Sequence, residues 1–132
     1  MKNKTYAALV VGSTLWCVSI IAAPVFGLNS VYSFFSSICH QDPTRSWHVA
    51  GEPLAVCIRC TSIYFAFAAS LWLGLKTNVR WLRISILLML CEFAVARIIL
   101  DDAFLRAVSG ILVGLFTAPF VRQATEELRD AM

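Results

Sequence analysis

Apolar residues gather in four long runs, Tyr6 to Leu28, Leu54 to Leu75, Trp81 to Leu100 and Ala103 to Val121. Each is close to the about 20 residues a helix needs to cross the hydrocarbon of a bilayer. Helices satisfy their own backbone groups in lipid, whereas open strands cannot. The pattern therefore predicts an all-α membrane protein, a single domain over residues 1–132, with four transmembrane helices at about 6–28, 54–75, 81–100 and 103–121. The polar interruption at 29–53 is a different kind of element. Asn29-Ser30 is a helix start signal, and Val31, Phe34, Phe35 and Ile38 then recur at i, i+3, i+4 and i+7 among serines, which predicts a short interfacial helix. It would lie along the membrane surface or pack on the bundle, and would deliver Cys39 and His40 at its end.

Turn residues divide these elements. Pro24 and Gly27 predict the end of the first helix, and Asp42-Pro43, Gly51 and Pro53 predict an irregular loop over 41–53. Pro53 suits the opening turn of the second transmembrane helix, where its missing N–H leaves nothing unsatisfied. Cys57 and Cys60 would then share one face of that helix's opening turns. In the fourth helix Gly110, Gly114 and Ala118 repeat at four-residue spacing, read here as close packing within the bundle.

Composition agrees with the pattern: 59% of the chain is hydrophobic and only 14% charged, with a mean hydropathy of +0.75. Soluble domains run near 45–50% apolar and about 25% charged. The net charge of +3 is small, and its basic residues sit at the ends of apolar runs, so nucleic acid is not an expected partner; the lipid bilayer is. The first run is longer than a signal-peptide core and lacks an A-x-A cleavage pattern, so it is expected to be a retained anchor. Lys2 and Lys4, then Lys76, Arg80 and Arg83, mark the N-terminus and the second loop as cytoplasmic, and the C-terminal tail follows. The 29–53 loop then faces outward.

That loop and the start of the next helix hold both histidines and three of the five cysteines. A Cys-x-x-Cys clamp offers two thiolates to a tetrahedral metal, and a distant Cys or His supplies the other half-site. The expected ligands are Cys39, His40, Cys57 and Cys60, with His48 as the alternative fourth. Zinc, or another soft divalent metal, suits such a donor set. Thiols outside the cytoplasm oxidise unless held, so a thiol–disulfide membrane oxidoreductase is the second reading. The H-x-E and P-C-x-x-C spacing of zinc deaminases is absent: His48 stands four residues before Glu52, and Pro53 does not adjoin Cys57.

Charges within the apolar runs add a third candidate. Glu92 falls near the middle of its run, where an ionisable group faces a partner, a cavity or a proton path. It is a candidate relay in a small transporter or lipid-binding protein; transport through so short a chain would call for a homo-oligomer. Arg97 with Asp101, and Asp102 with Arg106, are spaced i, i+4 for charged pairs, and Arg45, Arg59 and Arg97 are candidates for an anionic headgroup or substrate. Cys17 and Cys91 read as small apolar residues.

Cys39-His40-Gln41, Arg45-Ser46, Cys57-x-Arg59-Cys60-Thr61, Ile63-Tyr64, Glu92 and Arg106-x-x-Ser109-Gly110 together resemble the DUF2085 family of small bacterial and archaeal integral membrane proteins. The resemblance runs over roughly residues 30–115, with Ser62 and Ala66 standing where the family usually has glycine. It implies a multi-pass protein of the cell (inner) membrane with a metal or thiol centre, and it carries no activity with it.

Overall fold

The computed structural model describes residues 2–99 and 101–132. Leu100, the expected last residue of the third run, lies outside them. The described residues form α1 (Lys2–Phe26), α2 (Asn29–Ser36), a single 3-10 turn (Pro43–Arg45), a two-stranded ladder of β1 (His48–Val49) and β2 (Glu52–Pro53), α3 (Ile58–Leu73), α4 (Val79–Ile98) and α5 (Ala103–Ala131). Two of the helices are long and apolar enough to cross a membrane, α1 over Lys4–Phe26 and α5. α3 is apolar but only 16 residues long.

Each helix ends for a local reason. Gly27 and Gly74 take left-handed φ values of +64° and +63°. In each case the N–H of the next residue reaches back to the last turn, Leu28 to the Ala23 carbonyl at 3.0 Å and Leu75 to the Ser70 carbonyl at 3.2 Å. This closure satisfies carbonyls a helix end leaves free, and glycine adopts it without a Cβ clash. Pro24 sits inside the last turn of α1 rather than ending it. Asn78 caps α4 by accepting from the Trp81 N–H, and Asp102 caps α5 by accepting from the Phe104 N–H.

The second apolar run departs from its expected bounds. Pro53 lies in β2, and α3 begins only at Ile58, with Cys57 as its N-cap residue. The intervening Leu54, Ala55 and Val56 are buried with Ile20, Ala23, Phe35 and Cys39 in one core cluster. Their backbone groups are used elsewhere: the Leu54 N–H donates to the Trp47 carbonyl at 2.8 Å, and the Ala55 carbonyl accepts from the Gln41 amide at 2.8 Å. A helix starting at Leu54 would have to give these up. The 41–53 loop is likewise ordered rather than irregular. Ala50 and Gly51, at φ +55° and +84°, make the two-residue turn whose twist matches a hairpin, pairing His48 with Pro53 and Val49 with Glu52. At the other end of the chain α5 continues ten residues past the expected Val121, where the chain turns polar and is held by Arg122 to Glu126 and Gln123 to Glu127 contacts.

The amphipathic segment packs on the bundle. Trp16 of α1 is clasped edge-on by Phe34 and Phe35, and Phe35 is fully buried, while Phe34 and Ile38 stay exposed. α3 packs along α1 and, most extensively, along α5; α4 covers another side of α5. The Tyr6 hydroxyl donates to the Leu71 carbonyl, so α1 and α3 run antiparallel. Arg59 at the start of α3 meets Glu92 near the end of α4, and Trp81 at the start of α4 stacks on Phe116 of α5, so those pairs are antiparallel too. Arg129 donates to the Thr5 hydroxyl, which brings the two ends of the chain to the same end of the bundle. The opposite end carries residues 37–57 and is called the loop end below.

The small-residue repeat of α5 faces α3. A methyl group on Gly110 would stand 2.7 Å from the Arg59 carbonyl oxygen, and one on Gly114 only 2.3 Å from that of Ile63. Ser62 and Ala66 face the same seam across from them. Close approach is thus secured from the α5 side even where α3 carries side chains.

Candidate metal centre

The expected thiols converge at the loop end. Cys39 is buried at the end of α2, Cys57 precedes α3, and Cys60 lies in its opening turn; their sulfur atoms all lie within 4.8 Å of one another. Cys39 is placed by the turn that closes α2, its N–H donating to the Phe35 carbonyl at 2.9 Å. Its sulfur in turn accepts from the Cys57 N–H at 3.3 Å, so part of the trio is bound together without any ion. None of the described cysteines is in a disulfide.

The donor set can be tested against metal geometry. Zinc–sulfur bonds of about 2.3 Å in a tetrahedron place sulfurs roughly 3.8 Å apart. Separations no larger than 4.8 Å therefore require closure by about 1 Å at most, within reach of χ1 adjustments. Cys57 is predisposed to the thiolate state that a metal needs: the Cys60 thiol, together with the backbone N–H groups of Cys60 and Arg59 and the Cys39 thiol, holds its pKa well below the ordinary thiol value despite partial burial.

The histidines do not join the trio. His40 is exposed beside Cys39, and His48 is exposed in β1; neither belongs to the cluster. Adjacent residues point apart, and burying Cys39 turns His40 outward. The residue of the Cys-His-Gln run that joins the two halves of the centre is Gln41, which donates from one amide nitrogen to the Tyr32 carbonyl at 2.7 Å and the Ala55 carbonyl at 2.8 Å. It does so from a left-handed backbone position, φ +50°. Tyr32 adds a second tie, its hydroxyl donating to the Pro53 carbonyl. Nothing in the sequence gives Gln41 a role of its own; the one signal is its place two residues after Cys39. Cys17 is buried on α1 against Tyr64, and Cys91 is exposed on α4, both away from the trio.

The residue between the two clamp cysteines faces elsewhere. Arg59 donates to Glu92 at 2.6 Å, and Ser109 donates to the same carboxylate oxygen at 3.4 Å. Glu92 therefore has a cationic partner from α3 and a hydroxyl from α5. The expected Arg97–Asp101 and Asp102–Arg106 pairs are replaced. α4 ends at Ile98, so Asp101 is off that helix; it pairs with Arg106 and, at 3.1 Å, with Arg45. Asp102 is occupied in capping α5. Arg97 lies over the Phe93 ring, 5.1 Å from its centre.

Comparisons with known proteins bear on the family of the chain. The uncharacterized protein MJ1492 of Methanocaldococcus jannaschii is 29% identical over 141 aligned positions, covering 89% of this chain and 90% of that one. No solved structure matches. A family model described as a predicted membrane protein matches residues 39–120, a span that opens on Cys39 and takes in Cys57, Cys60, Glu92 and Arg106, and the chain belongs to that family, DUF2085.

Proposed function

We propose that this chain is a four-pass protein of the cell membrane with both termini in the cytoplasm, and that Cys39, Cys57 and Cys60 hold a soft divalent metal, zinc by default, facing outward. The observation that carries the metal reading is the convergence of three thiols from two chain segments, all within 4.8 Å. Four passes are supported by the contact of Arg129 with Thr5, because chain ends on one side need an even number of crossings. α3, about 24 Å long, gains reach from the extended residues before it, whose backbone is buried in protein rather than in lipid. Lys76, Arg80 and Arg83 belong to the end where the termini meet, as positive-inside orientation requires.

With three protein ligands the fourth position is open to water, a small ligand or His40 turned inward, which suits metal handling more than a closed structural site. Elemental analysis and a free-thiol count on detergent-purified protein test the reading. One equivalent of metal is expected, lost in Cys57→Ser/Cys60→Ser and retained in His40→Ala and in His48→Ala. The low pKa of Cys57 beside a second thiol favours one other reading, thiol–disulfide exchange with a partner. Metal-free protein whose pair cycles reversibly between thiol and disulfide would replace the first reading by the second. The relay role of Glu92 has less support, since its charge is matched by Arg59.

A further inference from the structure

At the loop end a second feature lies on the far side of the first turn of α3 from the thiols. A cavity of about 200 Å³ opens between the 3-10 turn, α3, α4 and α5, lined by Arg45, Arg59, Arg97 and Arg106 together with Asp101 and Phe93. Four guanidinium groups share its wall with one carboxylate. Behind the wall, Glu92 pairs with Arg59, and Asp42 lies 3.6 Å from Arg45. Within the wall itself the arginines outnumber the carboxylates four to one; Asp42, Glu92 and Asp102 bring the charges of the wider surroundings level, with Asp102 engaged in capping α5.

The hydrogen-bond inventory is incomplete in the same place. Arg97 has no carboxylate within ion-pair distance among the described residues, only the Phe93 ring. The Nε of Arg59 is buried and has no hydrogen-bond partner among the described residues. Clustered guanidiniums repel one another, and a buried donor without an acceptor is unfavourable; an anion with several acceptor oxygens relieves both. Arginines arriving from the 3-10 turn, α3, α4 and α5 approach from different directions. That arrangement suits a tetrahedral oxyanion better than a planar carboxylate, which presents only two oxygens. The volume is below the about 300–1,000 Å³ of sites for drug-sized ligands, so a single headgroup or ion is the right scale.

We propose that this four-arginine cavity binds a phosphate group, carried by an anionic phospholipid or present as inorganic phosphate. The inference does not rest on the thiol centre. Two measurements on the full chain test it: native mass spectrometry after reconstitution in phosphatidylcholine nanodiscs with and without phosphatidylglycerol, and calorimetric titration with inorganic phosphate in lipid-free detergent. One phosphate group per chain is expected. Arg97→Gln should weaken binding about tenfold, the loss of one charge-assisted contact, and Arg45→Gln/Arg97→Gln should weaken it further. Arg97→Lys, which keeps the charge without the fork, should fall between wild type and Arg97→Gln, and Arg83→Gln at the opposite end should change nothing. Arg45 and Arg97 are both exposed, so these variants fold, and unchanged thiol and metal content separates this result from the fate of the metal reading. Retained phosphatidylglycerol without phosphate binding identifies the lipid; phosphate binding alone identifies the ion. Binding of neither, or equal binding by wild type and the double variant, overturns the proposal.

Discussion

The seam between α3 and α5 makes a quantitative prediction. Gly114→Ala adds one methyl group whose carbon would lie 2.3 Å from the Ile63 carbonyl oxygen, 2.9 Å from the Ala66 Cβ and 3.0 Å from the Phe67 nitrogen. Ordinary van der Waals contact begins near 3.4 Å, so the helices must separate by about 1 Å at this level. Two of the three obstacles are backbone, and no flexible side chain can yield. Overpacking of this kind destabilises by about 1–3 kcal/mol, against a helix-propensity gain for alanine of about 1 kcal/mol or less. Gly12→Ala on α1 is the matched control, since a methyl there meets nothing within 4 Å and only the propensity gain remains. Unfolding of the purified protein in mixed micelles, followed by circular dichroism against increasing SDS fraction, should shift to lower SDS for Gly114→Ala and not for Gly12→Ala. Equal stability of Gly114→Ala and Gly12→Ala, with no loss in either, would refute the close approach, and a loss in Gly12→Ala as large as that in Gly114→Ala would refute its location.

Other outcomes follow from the site. Gly110→Ala, whose methyl would press on the Arg59 carbonyl at 2.7 Å, should lower metal affinity as well as stability, read by competition with a chromogenic chelator. Gln41→Ala leaves the Ala55 and Tyr32 carbonyls without their donor and should cost about 1–3 kcal/mol in the same SDS assay, while Gln41→Glu should be no better because it removes donors. Glu92→Leu leaves Arg59 unpaired and should destabilise by about 3 kcal/mol or less, given that Arg59 keeps 22% of its side chain exposed; Arg59→Met/Glu92→Leu should recover most of the loss. In reduced, metal-free protein, iodoacetamide labelling should show a phase with its midpoint below the ordinary thiol range, because the thiolate of Cys57 is favoured by its neighbours' hydrogen bonds; the phase should vanish in Cys57→Ser. A single phase near the ordinary thiol value of about 8.5 would refute that assignment.

Long-range pattern was legible in the chain and local backbone chemistry less so. The four apolar runs each became a helix, though the second became only the 16-residue α3, and the Val31–Phe35 stripe became the short α2, because burial over many residues dominates those elements. Convergence of Cys39 with Cys57 and Cys60 was also readable, since a Cys-x-x-Cys needs a second half-site and little else was available. The start of α3 was not, because hydropathy cannot distinguish Leu54–Val56 as a buried extended segment from a helical turn. The hairpin was hidden by Ala50, which takes a left-handed φ that composition gives to glycine or asparagine. His40 was expected as a ligand because of its type; its orientation depends on the single turn that buries Cys39. Asp101 was paired by helical spacing across a point where α4 had already ended.

The trio is built from two kinds of neighbour. Cys57 and Cys60 are three residues apart and can meet in a chain that has not folded, whereas Cys39 arrives from 18 residues away, and only when α2 has docked beneath Trp16. Bringing its sulfur there closes a loop whose length-dependent entropy is about 2.6 kcal/mol. An ion first captured by the local pair would gain its third bond only on completion of the core around Phe35 and Val56. Tight retention of metal would therefore act as a proofreading signal, marking those copies whose loop-end segments have assembled correctly.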